Sequence, residues 1–186
     1  MKLYPCPSCP RHWAMVMPVG PTPCPVMLLA ECPARDENKY GEPLVGKTGR
    51  ELNHVYLPLI SIPRSQLFLA NSVLCSRKDL SNPEAKDAIA CMSTNLSFML
   101  NEVRPSILVP MGAVACSLWP EIEINKHHGL PLPGAWGSWQ GILFPTYHPS
   151  AGIHNGSWMI ALMNDFAALG LFYRLAANKG LIERVE

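Results

Sequence analysis

Consecutive apolar residues dominate four short blocks of the chain: PVMLLA at 25–30, QLFLAN at 66–71, SILVPMG at 106–112 and GILFPTYHP at 141–149. Three longer segments between and after them repeat their apolar positions with helical spacing instead. The first, GKTGRELNHVYLPLI, predicts a helix with Leu52, Val55, Tyr56 and Leu59 on one face. The second, running from Asn82 to Pro105, predicts a long helix with Pro83 near its start and Pro105 just past its end. The third, 157–178, predicts a terminal amphipathic helix. Short strands that are apolar on both faces belong to a parallel sheet covered by helices. The pattern therefore predicts an α/β fold, a three-layer α/β/α sandwich around a four-stranded parallel sheet near 25–30, 66–71, 106–110 and 141–146. In such sheets the chemistry gathers beyond the carboxyl ends of the strands. That rule points to the segment that begins at Glu31, to Asn71, to Met111–Gly112 and to Tyr147–His148.

The chain of 186 residues suits one domain spanning 1–186. Its first 25 residues are exceptional, with prolines at 5, 7, 10, 18, 21, 23 and 25. No helix or central strand survives that density, so something other than secondary structure has to pin this segment. Composition is that of a compact fold, 48% hydrophobic and 16% charged. No apolar run approaches the roughly 20 residues that span a bilayer, and the N-terminus lacks the apolar stretch of a signal peptide. A cytoplasmic monomer without a membrane partner is the expectation. A net charge of +1 gives no global basic field. Local patches at Arg77 and Lys78, and at Lys126, His127 and His128, are enough to meet nucleic acid, although solvated loop charge is the plainer reading of each alone.

Seven cysteines in a chain expected to be intracellular call for a reason other than disulfides. Cys6 and Cys9 form a C-x-x-C pair on the proline-rich segment, and Cys75 and Cys91 flank the entry to the long helix. Four thiolates so arranged suit a 4Fe–4S cluster or zinc, and either would pin the N-terminal segment. Cys24, Cys32 and Cys116 read as buried apolar residues.

The strand-end motifs come in a telling order. The first strand leads into Ala30-Glu31-Cys32-Pro33-Ala34, then Asp36-Glu37, then Gly41-Glu42-Pro43-Leu44-Val45-Gly46; the second ends on Ala70-Asn71, with Cys75 shortly after; the fourth leads into His148-Pro149-Ser150. Together with the paired cysteines, this series resembles the iron–sulfur, family-four members of the uracil-DNA glycosylase superfamily. Their first motif reads G-E-x-P-G, then acidic residues, then G-x-P-F-V-G; their closing motif is H-P and then a wedge loop. The resemblance runs from Cys6 to the last helix. It implies a monofunctional DNA glycosylase whose partner is DNA, duplex or single strand, met through a flipped nucleotide. It implies that Asn71 reads the edge of the base, with Leu44 and Cys32 against it. His148 would stabilise charge on the base, and Glu31 and Glu37 would orient water or stabilise the sugar cation. It further implies cluster ligation by Cys6, Cys9, Cys75 and Cys91. After Pro149, SAGIHNG reads as a small flexible loop, and Ile153, with His154 beside it, becomes the candidate DNA wedge.

The sequence departs from that family at Ala30 and Ala34, where the motif has glycines, and at Leu44, where it has the aromatic residue that stacks on uracil. The missing platform motivates a second expectation, a glycosylase for a bulkier modified pyrimidine such as hypermodified cytosine in phage DNA, serving defence. A third is a non-catalytic DNA-binding protein of the same fold.

Overall fold

The computed structural model describes residues 3–4, 15–76 and 80–182. Cys6, Cys9, Arg77 and Lys78 lie outside them.

The four anticipated strands form, as β1 (Val26–Ala30), β2 (Phe68–Asn71), β3 (Ile107–Pro110) and β5 (Trp139–Leu143), and they run parallel in the order β2-β1-β3-β5. A fifth, β4 (Leu132–Trp136), pairs antiparallel with β5 and closes that edge, so the sheet has five strands rather than four. Its proline disguises β4, because Pro is read as a strand breaker; on an edge strand the missing N–H is tolerated. Gly137, with φ of 57°, makes the two-residue turn into β5. The last strand ends at Leu143, short of the expected 146, and Thr146 meets Met111 only through an isolated bridge.

All five residues of β1 are buried. Met27 and Leu29 face one apolar layer, where α4 (Ala85–Val103) contributes Met92, Leu96, Met99 and Leu100. Val26, Leu28 and Ala30 face the other, built from Leu52, Tyr56, Ile60, Leu162, Phe166 and Leu169. Burial on both faces is why these strands carry no polar alternation. The α4 helix begins where Glu84 and Asp87 cap it reciprocally and ends at Arg104, in left-handed conformation directly before Pro105. The terminal helix α8 (Gly156–Asn178) is long and apolar enough, by length and composition alone, to cross a membrane. Its residues Leu162, Phe166 and Leu169, spaced by helical turns, are buried in the second core layer.

Between β1 and β2 the chain forms α1 (Arg35–Tyr40), α2 (Lys47–Glu51), a π-helical turn (Leu52–Tyr56) and α3 (Leu57–Ile60). Pro58 explains the π turn: it has no N–H to give, and its ring crowds the carbonyl four residues back. The extra residue rotates the buried face from the expected Leu52, Val55, Tyr56 and Leu59 to Leu52, Tyr56, Leu57 and Ile60. Short helices α5 (Ala113–Cys116) and α6 (Ile124–His127) come after β3. The segment after His148 is not the flexible loop expected but a helix, α7 (Pro149–His154). Pro149 presets its first turn, and a Cβ on Gly152 would collide with the Tyr56 hydroxyl, so α7 packs directly against the π turn.

Candidate active site

Beyond the carboxyl ends of β1 and β2 lies a cavity of about 360 Å³ lined by Cys32, Ala34, Glu37, Leu44, Asn71 and His148. Arg35, Asp36 and the Gly46–Gly49 segment complete its wall. Cys32, Glu37, Leu44, Asn71 and His148, all anticipated from sequence, therefore share one space.

Glu37 organises it. Its position in the first turn of α1 lets one carboxylate oxygen accept the Ala34 N–H at 2.7 Å, while the other accepts the N–H of Leu44. One buried carboxylate thus ties both ends of the α1 motif together. Burial raises its pKa; the two backbone donors, the Asn71 amide and the Arg64 guanidinium pull the other way. Arg64 also donates to the Pro43 carbonyl at 2.7 Å and to Asn53 at 3.2 Å, bracing the Gly41–Gly46 loop from behind. Leu44 itself is buried with φ of 57°, a conformation uncommon for a branched residue. Gly49 is what admits it: a Cβ there would run into the Leu44 carbonyl.

Asn71, the last residue of β2, is 1% exposed. Its amide lies near enough to Glu37 to lower that carboxyl's pKa. Yet neither Nδ2 nor Oδ1 has a partner in regular hydrogen-bond geometry among the described residues. Buried polar groups are nearly always satisfied, and leaving one unpaired costs about 1–3 kcal/mol. An amide with donor and acceptor both unspent at a cavity wall is prepared for a ligand that presents the complementary pair.

His148 caps α7. Its Nδ1 lies 2.7 Å from Ser150 Oγ and accepts the Ser150 N–H at 3.4 Å. A backbone N–H only donates, so the neutral ring carries its proton on Nε2. Desolvation depresses the pKa to about 4. The ring is therefore a neutral donor at physiological pH.

Glu31 stands apart from this wall. Its carboxylate turns across Gly112 toward the Val114 N–H at 3.5 Å, and burial raises its pKa. Gly112, with φ of 90°, lies between Glu31 and His148: a Cβ there would strike the Glu31 carboxylate and come within 3.0 Å of the His148 Cβ. Glu31 is thus a neighbour of His148 rather than a cavity-lining group. On α7, Ile153 is half-buried and His154 exposed. The sequence reading missed Arg35 and Lys47 on the cavity wall, for which the Gly46-Lys47-Thr48-Gly49 run was the available signal, and Arg64, for which there was none.

Of the four cysteines paired on sequence, two are described. Cys75 is half-buried just past β2, and Cys91 is buried in the second turn of α4, where its sulfur accepts the Leu74 N–H at 3.5 Å. One turn further along, Asn95 accepts the Tyr4 N–H at 2.8 Å and donates to the Tyr4 carbonyl at 3.0 Å. Tyr4, two residues before Cys6 in sequence, is thereby held against the helix that carries Cys91. An N–H bonded to sulfur and a tethered N-terminal strap suit a thiolate-held centre. Among the described residues alone, no three potential ligands are grouped to hold a metal ion.

The His148 assignment predicts a specific NMR signature. Its imidazole should show the Nε2–H tautomer and stay unprotonated from pH 8 down to about 5, since the folded pKa is about 4. A ring titrating near the ordinary value of about 6.5 contradicts the geometry.

The model of the Uracil DNA glycosylase superfamily matches residues 17–167. A Type-4 uracil-DNA glycosylase of Saccharolobus solfataricus is 27% identical over 153 residues, covering 79% of this chain and 70% of the relative. One from Sulfurisphaera tokodaii is 29% identical, covering 76% and 66%, and one from Thermotoga maritima is 28% identical, covering 82% and 80%. The match takes in the sheet, the cavity and the first half of α8, and the chain belongs to the uracil DNA glycosylase superfamily.

Proposed function

We propose that the protein is a DNA glycosylase that draws a pyrimidine out of DNA into this cavity and hydrolyses its N-glycosidic bond, with uracil as the base. The observation that carries the reading is the Asn71 amide, buried on the cavity wall beside Glu37 with neither hydrogen-bonding atom in a regular hydrogen bond among the described residues. A uracil edge offers an N–H and a carbonyl, which this amide meets with its acceptor and its donor.

The bond between C1′ and N1 breaks, and its electron pair leaves with the base. The negative charge gathers on the ring carbonyls, where the Nε2–H of His148 donates to the developing oxyanion without transferring its proton. One such donor lowers a barrier by about 3 kcal/mol. A water oxygen forms the new bond to C1′ and releases a proton to the carboxylate that orients it or to solvent. Glu37 is the carboxylate on the cavity wall, and Glu31, across Gly112 from His148, is the second candidate. Arg35 and Lys47 supply positive charge for the backbone phosphates. Ile153, with His154 beside it, is the proposed wedge, carried on α7 immediately after the catalytic histidine.

Cys6, Cys9, Cys75 and Cys91 are proposed to hold a 4Fe–4S cluster. When bound, it cross-links the N-terminal segment to the start of α4 and leaves bond breaking to the strand-end residues. The N–H donor at Cys91 and the anchoring of Tyr4 support this, with zinc as the competing ion.

One observation favours a second substrate reading. Leu44 gives the base an apolar wall without the planar platform an aromatic side chain would supply, a stacking contact worth about 1–3 kcal/mol. A bulkier modified pyrimidine recovers that contact by filling the space.

Both readings are tested by scoring abasic sites in oligonucleotides carrying uracil or 5-substituted cytosines. Wild type should excise uracil, and His148→Ala should slow the single-turnover rate about 10²-fold or more. Leu44→Phe should improve uracil excision and impair excision of bulky bases. Abasic product from no substrate overturns the proposed activity. Equal uracil rates in wild type and Leu44→Phe, with every modified base refused, removes the second reading. For the cluster, Cys75→Ser should lose the brown colour and bound iron and lower the unfolding midpoint; unchanged iron content contradicts the ligand set.

A further inference from the structure

One residue before the cavity-lining His148, Tyr147 joins two other rings in an aromatic shelf that the reaction itself does not use. Tyr147, the residue before His148, has Trp158 packed edge-to-face on it, with ring centroids 4.4 Å apart and planes at 67°. His128 lies against Tyr147 at 4.5 Å.

The shelf is rigidly held. The Tyr147 hydroxyl donates to Asn125 Oδ1 at 3.2 Å. His128 Nδ1 sits 2.8 Å from Asp165 Oδ1, a carboxylate only 4% exposed, whose other oxygen accepts the Thr146 hydroxyl at 2.7 Å. Trp158 projects from the first turn of α8 and is 38% exposed. A large aromatic side chain is thus left open to solvent but locked in place. Its support, Tyr147, adjoins the cavity-lining His148 in the chain, and Trp158 itself comes four residues after His154, across the extended Asn155 that separates α7 from α8.

We propose that Trp158, seated on Tyr147, is a stacking platform for the nucleobase that flanks the extruded one on the same DNA strand. This rests on the reading of the cavity as the seat of the extruded base. Drawing one nucleotide out of a strand strips its neighbour of a stacking partner on the side it vacates. A fixed aromatic surface next to the cavity replaces that partner, and it does so for any of the four bases, because each presents a π-face. Pre-ordering the ring by Tyr147, and Tyr147 by Asn125, removes the entropy cost of ordering it on binding. The partner is therefore a nucleobase within the substrate strand, recognised without sequence preference.

The test is a double-substitution cycle read by binding. Single-stranded oligonucleotides carry 2′-fluoro-deoxyuridine, which resists cleavage, with the neighbouring nucleotide intact or replaced by an abasic analogue on the 5′ or the 3′ side. Trp158→Ala should weaken binding of the intact strand about 5- to 150-fold, and Trp158→Phe should restore it to within a few-fold of wild type. Deleting the flanking base on one side should weaken wild type by a like factor and leave Trp158→Ala unchanged. Wild-type affinity in Trp158→Ala, or losses that simply multiply, overturns the platform. An equal loss in Trp158→Phe also overturns it, assigning Trp158 to the α7–α8 packing. Excision of plain uracil by wild type reports separately on the cavity: excision without coupling sinks the platform alone, and neither excision nor binding sinks both.

Discussion

A single carboxylate decides the shape of the functional end of this molecule. Glu37 is buried, and its two oxygens hold the backbone N–H groups at either end of the α1 motif. Without it the chain from Ala34 to Leu44 would have two unsatisfied donors and no reason to arch over the ends of β1 and β2. Arg64 reinforces the arch through the Pro43 carbonyl, and Gly49 admits the left-handed Leu44 beneath it. The same carboxylate lines the space it encloses, alongside Arg35, Asp36 and Lys47.

Within that frame the polar groups divide into satisfied and waiting ones. The acceptor nitrogen of His148 is occupied by Ser150, which leaves Nε2–H as the free donor, and burial keeps the ring neutral. Among the described residues Asn71 has neither atom in a regular hydrogen bond, although its amide lies close enough to Glu37 to draw that carboxyl's pKa down. Preorganised dipoles of this kind act on the charge of a reacting group without having to reorient.

Much of this was legible in the sequence. The four parallel strands could be read because burial on both faces leaves an unbroken apolar block. Asn71 and His148 could be read because strand ends in a parallel sheet converge, and Glu37 and Leu44 because they stand in the ordered motif between β1 and α2. What escaped was set by non-local geometry. The edge strand β4 hides behind its proline, tolerable only where no neighbour needs the missing N–H. The π turn before Pro58 shifts a helical face by one residue, which no fixed period anticipates. Glu31 keeps its place in the motif, but its carboxylate turns over Gly112 toward the Val114 N–H, a contact far away in the chain. The loop after His148 became helix α7 because Pro149 and the His148 cap outweigh its glycine.

The central claim is that Asn71, without a regular hydrogen bond among the described residues, is kept for the edge of a base. Replacing it with leucine, close in volume and apolar, measures that directly through the unfolding midpoint and excision of uracil from the same preparation. The account predicts a midpoint at or above that of wild type, corresponding to up to about 1–3 kcal/mol of added stability, together with loss of excision. A clear drop in stability, or retained excision, contradicts it.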